Sequence, residues 1–404
     1  MSSPAEARRL FGPHMLEDPF AVYRTMREND PICWNETLKA WVVTRYSDVS
    51  KVLKDRRMSS NRVSSARLRY SEKYQSTFDL FARLMLQSDD PKHKRLRHLV
   101  HSAFTRTAVE GYEERIRHLC KGLLAPGLKT GEMEFVEEFA APLPILVISK
   151  IVGIPTSERA KIKVWCDAFS TIALNFYVYI SDEQLDECCA KIAEFHGYLK
   201  DKMEAARKAP GDDLISSLVV AADNENLLDI DELIANCMLL LNAGNETTTC
   251  LLANGLDLLL KNPNQMALLR ADPTRIPGAI EEFLRLEGPV QFLGRVALEE
   301  IELGEERIGA GDMVIPVIAA ANRDPMVFDN PDTLDIQRPH IHQLGFGTGP
   351  HLCAGIQLAR FEAKVAFEVL LSSIGSIEAK AGEHLHAKNF NMRCLEKLPI
   401  TVTP

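Results

Sequence analysis

The chain has 404 residues, 46% of them hydrophobic and 25% charged, with a net charge of −9. That composition fits a globular protein with a sizeable core, and the acidic balance speaks against nucleic acid as a partner, since nucleic-acid binders carry a basic excess. The longest uncharged apolar stretch, FAAPLPILVIS at 139–149, holds two prolines and falls well short of the roughly 20 residues that span a bilayer. The opening MSSPAEARRLFGPHMLEDPF lacks the apolar core of a signal peptide, so a cytoplasmic location is expected.

No stretch rich in proline, glycine or serine divides the chain, and no repeat or low-complexity tract is evident. One domain over 1–404 is therefore expected, with a β-containing lobe at roughly 1–60 and an α-rich body at 61–404. In chain order, PICW (31–34) and AWVVT (40–44), separated by NETLK, read as a strand pair. From about 50 to 285, apolar residues recur at three- and four-residue spacing, the signature of helices. One of these is long. Asp229 and Glu232 have the spacing of a capping box, and the helical pattern runs on to about Leu260, about 46 Å of helix. Its middle, NAGNETTTC (242–250), places polar residues where burial penalises them. Residues 286–350 alternate short strands such as MVIPV (313–317) with the turns GAGD and NPD. A further helix, IQLARFEAKVAFEVLLSSI (356–374), and a strand-like LPITV (398–402) follow. The fold class is mainly α with a small β component.

Nine cysteines stand at 33, 120, 166, 188, 189, 237, 250, 353 and 394. Their odd number, irregular spacing and lack of any CxxC speak against a disulfide framework and against zinc or iron–sulfur sites. Cys353 is distinctive because it lies in a constrained loop, GFGTGPHLCAG (345–355), just before a helix. There the backbone N–H groups and the helix dipole favour thiolate, and the glycines let the backbone approach something flat. A lone thiolate suits a metal already held by other ligands, of which haem iron is one case. An inert cysteine in a glycine-rich turn is the plainer alternative.

The segment FGTGPHLCAG (346–355) resembles the haem-binding loop of the cytochrome P450 family, F-x-x-G-x-x-x-C-x-G, with Phe346, Gly349, Cys353 and Gly355 in place. The resemblance implies haem b as cofactor, Cys353 as axial thiolate, Phe346 packed beside the ligand loop and His351 on a haem propionate. Pro350 departs from many bacterial members and removes one N–H donor. Other motifs of the family recur. EEFLR (281–285) supplies Glu282 and Arg285 on one helical face, a pair the resemblance locks to Arg338 in a structural role. AGNETT (243–248) resembles A-G-x-[D/E]-T-T. Ala243 and Thr247 share a face, Gly244 removes bulk where dioxygen fits, and Glu246 with Thr247 forms the acid–alcohol pair that delivers protons. HKRLR (93–97) resembles H-T-R-L-R with Lys94 in place of threonine. His93 and Arg97, joined by Arg295, are then the propionate partners, and Lys92, Lys94 and Arg95 face outward toward an acidic electron donor.

The implied fold is a single-domain cytochrome P450 fold with a long central helix over the haem. The implied reaction is monooxygenation by a monomer, inserting one atom of O2 into a mainly hydrophobic small molecule such as a secondary metabolite, terpenoid or fatty-acid-like compound. Electrons would come from a separate ferredoxin and an NAD(P)H-dependent ferredoxin reductase, since the cysteines lack ferredoxin spacing. Substrate contacts are expected in 60–88, 169–181 and 289–294, with Phe169, Phe176, Tyr177, Val290 and Phe292 as candidates beside a core-packing alternative. Arg67 and Arg69 could meet a carboxylate. A peroxide-driven peroxygenase, an isomerase and a non-catalytic haem or ligand binder are the alternative functions.

Overall fold

A computed structural model describes residues 15, 18–67, 69–174, 176, 180–225, 229–380, 385–387 and 389–403. The chain divides into two compact units, each built from separate stretches. The first comprises Met1–Met58, Val109–Leu143 and Thr247–Pro404; the second comprises Ser59–Ala108 and Pro144–Glu246.

In the first unit the strand pair expected near the N-terminus forms as Ile32–Asn35 against Ala40–Val43, antiparallel, with Ile32 opposite Val43. The turn is fixed by its own polar residues: Asn35 Oδ1 accepts from Leu38 N at 2.9 Å, and Lys39 takes a positive φ. Ala40–Val43 then runs parallel to Met313–Pro316, which pairs on its other side with Arg295–Ala297. Ala40, Val42, Val43 and Val314 are fully buried. Val43 and Val314 belong with a core that includes Val49, Val52 and Leu53 of the Tyr46–Lys54 helix, Ile318 and Leu344. A second sheet places Pro399–Thr403 between Glu132–Glu134 and Ser376–Ala379.

Three helices of this unit meet around one glycine. A β-carbon at Gly255, in the Glu246–Lys261 helix, would lie 2.7 Å from the Phe283 ring and 2.9 Å from the Phe367 ring. Phe283 belongs to Ile276–Glu287 and Phe367 to Ile356–Ser373, and their rings are 5.3 Å apart. No larger residue fits at 255 without moving an aromatic core.

The second unit is almost wholly helical. Asp182–Lys208 starts at Ser181, whose Oγ accepts from Gln184 N, and carries Asp182 and Glu183 in its first turn and Arg207 and Lys208 in its last, as the helix dipole favours. Leu185, Cys188, Ile192, Phe195, Leu199 and Met203 give it a buried stripe, and Phe195 stacks on Trp165 of Arg159–Leu174. The apolar stretch at 139–149 mostly enters the helix Pro142–Val152, its prolines confined to the first turn where no N–H partner is lost.

Two sequence expectations need correction. The long run from Asp229 is interrupted: Ile230–Ala243 and Glu246–Lys261 are separated by a turn at Gly244–Asn245, where Asn245 N bonds Asn242 O, three residues back. The capping box is only half formed. Asp229 accepts from Asp231 N, but the Glu232 carboxylate turns to the Arg95 guanidinium at 3.0 and 2.9 Å, since a two-bond ion pair outweighs a single neutral cap.

The cysteines also hold a disulfide that spacing does not reveal. Cys250 and Cys394, both in the first unit and separated by 144 residues, are bonded with their Cα atoms 4.6 Å apart. Pairing depends on that spatial approach, which spacing along the chain does not report. No helix among the described residues is long and apolar enough to cross a membrane.

Candidate active site

The loop that carries Cys353 is determined by its backbone. Gly347 and Gly349 have φ of 70° and 74°, in the left-handed region. A β-carbon at Gly349 would lie 2.7 Å from Leu53 O and 3.0 Å from Lys54 Cα, so the loop presses on the end of the Tyr46–Lys54 helix. Cys353 N donates to Phe346 O at 2.9 Å and closes the loop on itself. Gly355 then caps the helix Ile356–Ser373. Arg360 of that helix lies over the Phe346 ring at 5.1 Å and pairs with Glu281 at 2.6 and 2.9 Å.

Cys353 differs from most other thiols of the chain. Cys120 and Cys237 are buried, and burial pushes both up to about 12, which leaves them inert. Cys353 is partly exposed at the end of its loop.

Behind this loop lies the buried cluster of Glu282, Arg285 and Arg338. The side chains of Glu282 and Arg285 have no exposure and are joined by two bonds of 2.7 Å. Arg338 Nε donates to the same carboxylate at 3.1 and 3.3 Å. All five N–H groups of Arg285 are used, the remaining three on Asn322 O, Pro331 O and Thr333 O. Asn322 continues the connection, because its Oδ1 accepts from Leu344 N, and Leu344 O accepts from Gly347 N. The cluster therefore supports the cysteine loop through a short line of hydrogen bonds.

Arg295 lies in the strand Arg295–Ala297, 4% exposed, with Nη1 on Gly294 O at 2.8 Å. His351 stands in the short turn Gly349–His351 and is partly exposed. The donor set of this unit fits haem. Among the described residues no group of three or more His, Cys, Asp or Glu could hold a metal ion. A single thiolate of this kind suits an iron that brings its other ligands with it, as in a porphyrin.

In the second unit, His93 and Arg97 lie four residues apart on the helix Lys92–His101. His93 is 4% exposed with Nδ1 3.5 Å from Asp90, and burial together with the Arg97 charge lowers its pKa. The neighbouring cations do not all face outward as expected. Lys94 is exposed, but Arg95 is bonded to Glu232, and Lys92 Nζ donates to Ala82 O and lies 3.6 Å from Glu232. A buried carboxylate distant in sequence draws two of the three inward.

Ala243, the last residue of its helix, is exposed in a segment whose neighbours are largely buried. A β-carbon at Gly244 would lie 3.1 Å from Ile148 Cγ1, so this glycine permits close packing on the Pro142–Val152 helix. Glu246 and Thr247 are consecutive in the first turn of the next helix and partly buried. Glu246 Oε2 lies 2.8 Å from Ser170 Oγ, which is itself 2.9 Å from Asn242 Oδ1. Burial raises the Glu246 pKa, and the Ser170 bond offsets part of that rise. Sequence reasoning missed Ser170, since nothing local ties a serine at 170 to an acid at 246.

The aromatic candidates divide between the units. Phe169 is 1% exposed and stacks on Phe81 at 4.8 Å, and Phe176 meets Phe81 edge-on at 5.9 Å. Val290 bridges to Met392, and Phe292, 3% exposed, has its carbonyl bonded by Asn391. Tyr177 lies outside the described residues. Arg67 is paired with Asp79, and Arg69 donates to Phe176 O at 3.1 Å, so both arginines are engaged within the second unit.

A family model described as Cytochrome P450 matches residues 31–375. The chain is 35% identical over 388 residues to the biotin biosynthesis cytochrome P450 of Bacillus subtilis (strain 168), covering 96% of each. It is 37% identical over 399 residues to the cytochrome P450 monooxygenase PikC of Streptomyces venezuelae, covering 96% of this chain and 92% of that one. Among solved structures it matches P450BioI in complex with hexadec-9Z-enoic acid ligated acyl carrier protein, with a TM-score of 0.90 at 34% identity, covering 96% of this chain and 99% of that one.

Proposed function

This chain belongs to the cytochrome P450 family, a haem b monooxygenase, and from that premise we propose which of its residues perform the reaction and on what. Cys353 is the residue that would hold the haem iron, through its thiolate. The observation that carries this assignment is its loop: a partly exposed thiol, with its own N–H bonded to Phe346 O, between left-handed glycines and a helix N-terminus. His351, Arg295, His93 and Arg97 are the residues we assign to the haem carboxylates, on the motifs that carry them. Phe346, held under Arg360, packs beside the ligand loop. Haem held there would supply dioxygen activation, with the Cys353 thiolate as electron donor to the iron.

Glu246 and Thr247 supply protons. Burial favours the protonated carboxyl of Glu246, the form that can act as a proton donor. Ala243 presents an exposed helix edge at the adjoining turn, and Gly244 lets that turn pack closely on Ile148.

The substrate is an apolar small molecule. The structural relative carries a long-chain acyl group on an acyl carrier protein, and a fatty-acyl chain is the member of the class we favour. Phe169, Phe176, Val290 and Phe292 are its candidate contacts. The two electrons of each turnover come from a ferredoxin, itself reduced by an NAD(P)H-dependent reductase. Lys94, exposed on its helix, is the cation placed to meet an acidic donor. Lys94→Glu should slow reduction by the ferredoxin and flatten its salt dependence, whereas charge reversal at Arg95 would also break an internal ion pair.

The deciding experiment is the carbon-monoxide difference spectrum of the reduced holoprotein. A strongly red-shifted Soret band that is lost in Cys353→Ser supports thiolate ligation by this residue. An unshifted band in the unmodified protein, or a red-shifted band that survives Cys353→Ser, overturns it.

A further inference from the structure

Glu246 does not stand alone in the second unit. Ser170, 8% exposed on the Arg159–Leu174 helix, places its Oγ 2.8 Å from Glu246 Oε2 and 2.9 Å from Asn242 Oδ1. We propose that Ser170 is a positioning residue for Glu246, a hydroxyl that turns between Asn242 and the carboxylate as the acid releases and regains its proton. The inference deepens the reading of Glu246 as the proton-delivering acid and rests on it.

The chemistry of a hydroxyl requires the turn. Serine has one proton to donate and lone pairs to accept with. When Glu246 is protonated, its O–H donates to Ser170 Oγ, and Ser170 donates to Asn242 Oδ1. When Glu246 gives up its proton, Ser170 swings its own toward the carboxylate, where a bond to charge is stronger than one to an amide. One proton leaves Glu246 and one returns to it from solvent, so the cycle closes with Ser170 unchanged. Glu246 Oε2 is thus bonded in both states of the acid.

Other ionisable groups around Glu246 come from the same helix. Asp167 raises its pKa and Lys163 lowers it, but these two are paired with each other at 2.8 Å and exposed. The buried Cys166 thiol is pushed above its usual range and stays neutral. Among the described residues, Ser170 bonds the carboxylate directly and can respond to its charge.

The test uses the holoenzyme with ferredoxin and reductase, and compares Ser170→Ala, Ser170→Thr and Glu246→Gln. The readouts are the pH profile of kcat, the solvent isotope effect, and peroxide released per NAD(P)H consumed. Ser170→Ala should lower kcat by about two- to tenfold, the worth of one such hydrogen bond. It should also raise peroxide release and displace the acid limb of the profile, with Ser170→Thr restoring all three. The proposal is overturned if Ser170→Ala keeps the unmodified profile and peroxide yield while Glu246→Gln is impaired. If Glu246→Gln itself matches the unmodified enzyme, the proton-delivery reading fails first and takes this proposal with it. A slower Ser170→Ala whose profile and isotope effect do not move, or that threonine does not rescue, marks a merely structural serine and also overturns the proposal.

Discussion

An alanine at Gly349 would have to adopt φ near 74° and place its methyl 2.7 Å from Leu53 O. Gly349→Ala should therefore cost about 1–3 kcal/mol and loosen haem retention, which thermal melts of the holoprotein and haem transfer to an acceptor globin would register. The demand for left-handed backbone is why this loop can be read from sequence: only glycine meets it cheaply, so the residue type itself reports the geometry. Glu362 makes the opposite case. It is 1% exposed, one carboxyl oxygen has no hydrogen-bond partner, and burial pushes it up to about 8. The folded chain keeps this proton up to that pH, whereas the unfolded chain releases it near the ordinary value of 4.5. Stability from this group is thus complete below about pH 4.5 and is lost as pH rises through about 8. Glu362→Gln should match the unmodified protein near pH 5 and exceed it increasingly toward pH 9, as melting temperatures across that range would show. A glutamate in a helix rich in charged residues reads as surface; its burial is set by what packs on it.

At the scale of elements, the cluster of Glu282, Arg285 and Arg338 fastens the Ile276–Glu287 helix to the segment from Asn322 to Arg338. Removing Arg285 leaves a fully buried carboxylate without its main partner and takes the side-chain donor from Asn322 O and Pro331 O, while Thr333 O keeps Arg338. Arg285→Ala should cost about 3–5 kcal/mol and yield little haem-loaded protein. Arg338→Ala, which removes the half of the cluster nearer solvent, should cost less; denaturant titration of the two variants would rank them. Element type was largely legible beforehand. The strands at 32–35 and 40–43, the helix from Ile356 and the last strand follow from periodicities of two and 3.6. The turn at Gly244–Asn245 was not, because NAGN sits in a run whose apolar spacing continues on both sides. Nor was the pull of Glu232 on Arg95: in sequence, three cations of one basic helix look alike, and only the carboxylate brought beside them tells them apart.

For the molecule as a whole, the covalent tie between Cys250 and Cys394 closes a loop of 144 residues within the first unit. Closing so long a loop restricts the unfolded chain, an effect worth several kcal/mol, about 5 in the entropic account. Reductant should then lower the melting temperature of the unmodified protein while leaving Cys250→Ser unaffected, with intact mass under alkylation reporting how much of the pair is oxidised. The division into two units has a consequence for biosynthesis. The second unit is interrupted by Val109–Leu143 but is complete once the ribosome has added Glu246. The first cannot be, because its final segment runs from Thr247 to Pro404 and contains Cys353. Chains fold as they emerge, early segments first, so on the ribosome the helices that carry His93 and Ser170 can pack before Cys353, the proposed sulfur ligand, exists. With Cys353 as the proposed ligand, cofactor capture is a late event, and a nascent chain stalled short of residue 353 should be part-folded and fail to hold haem iron through a thiolate.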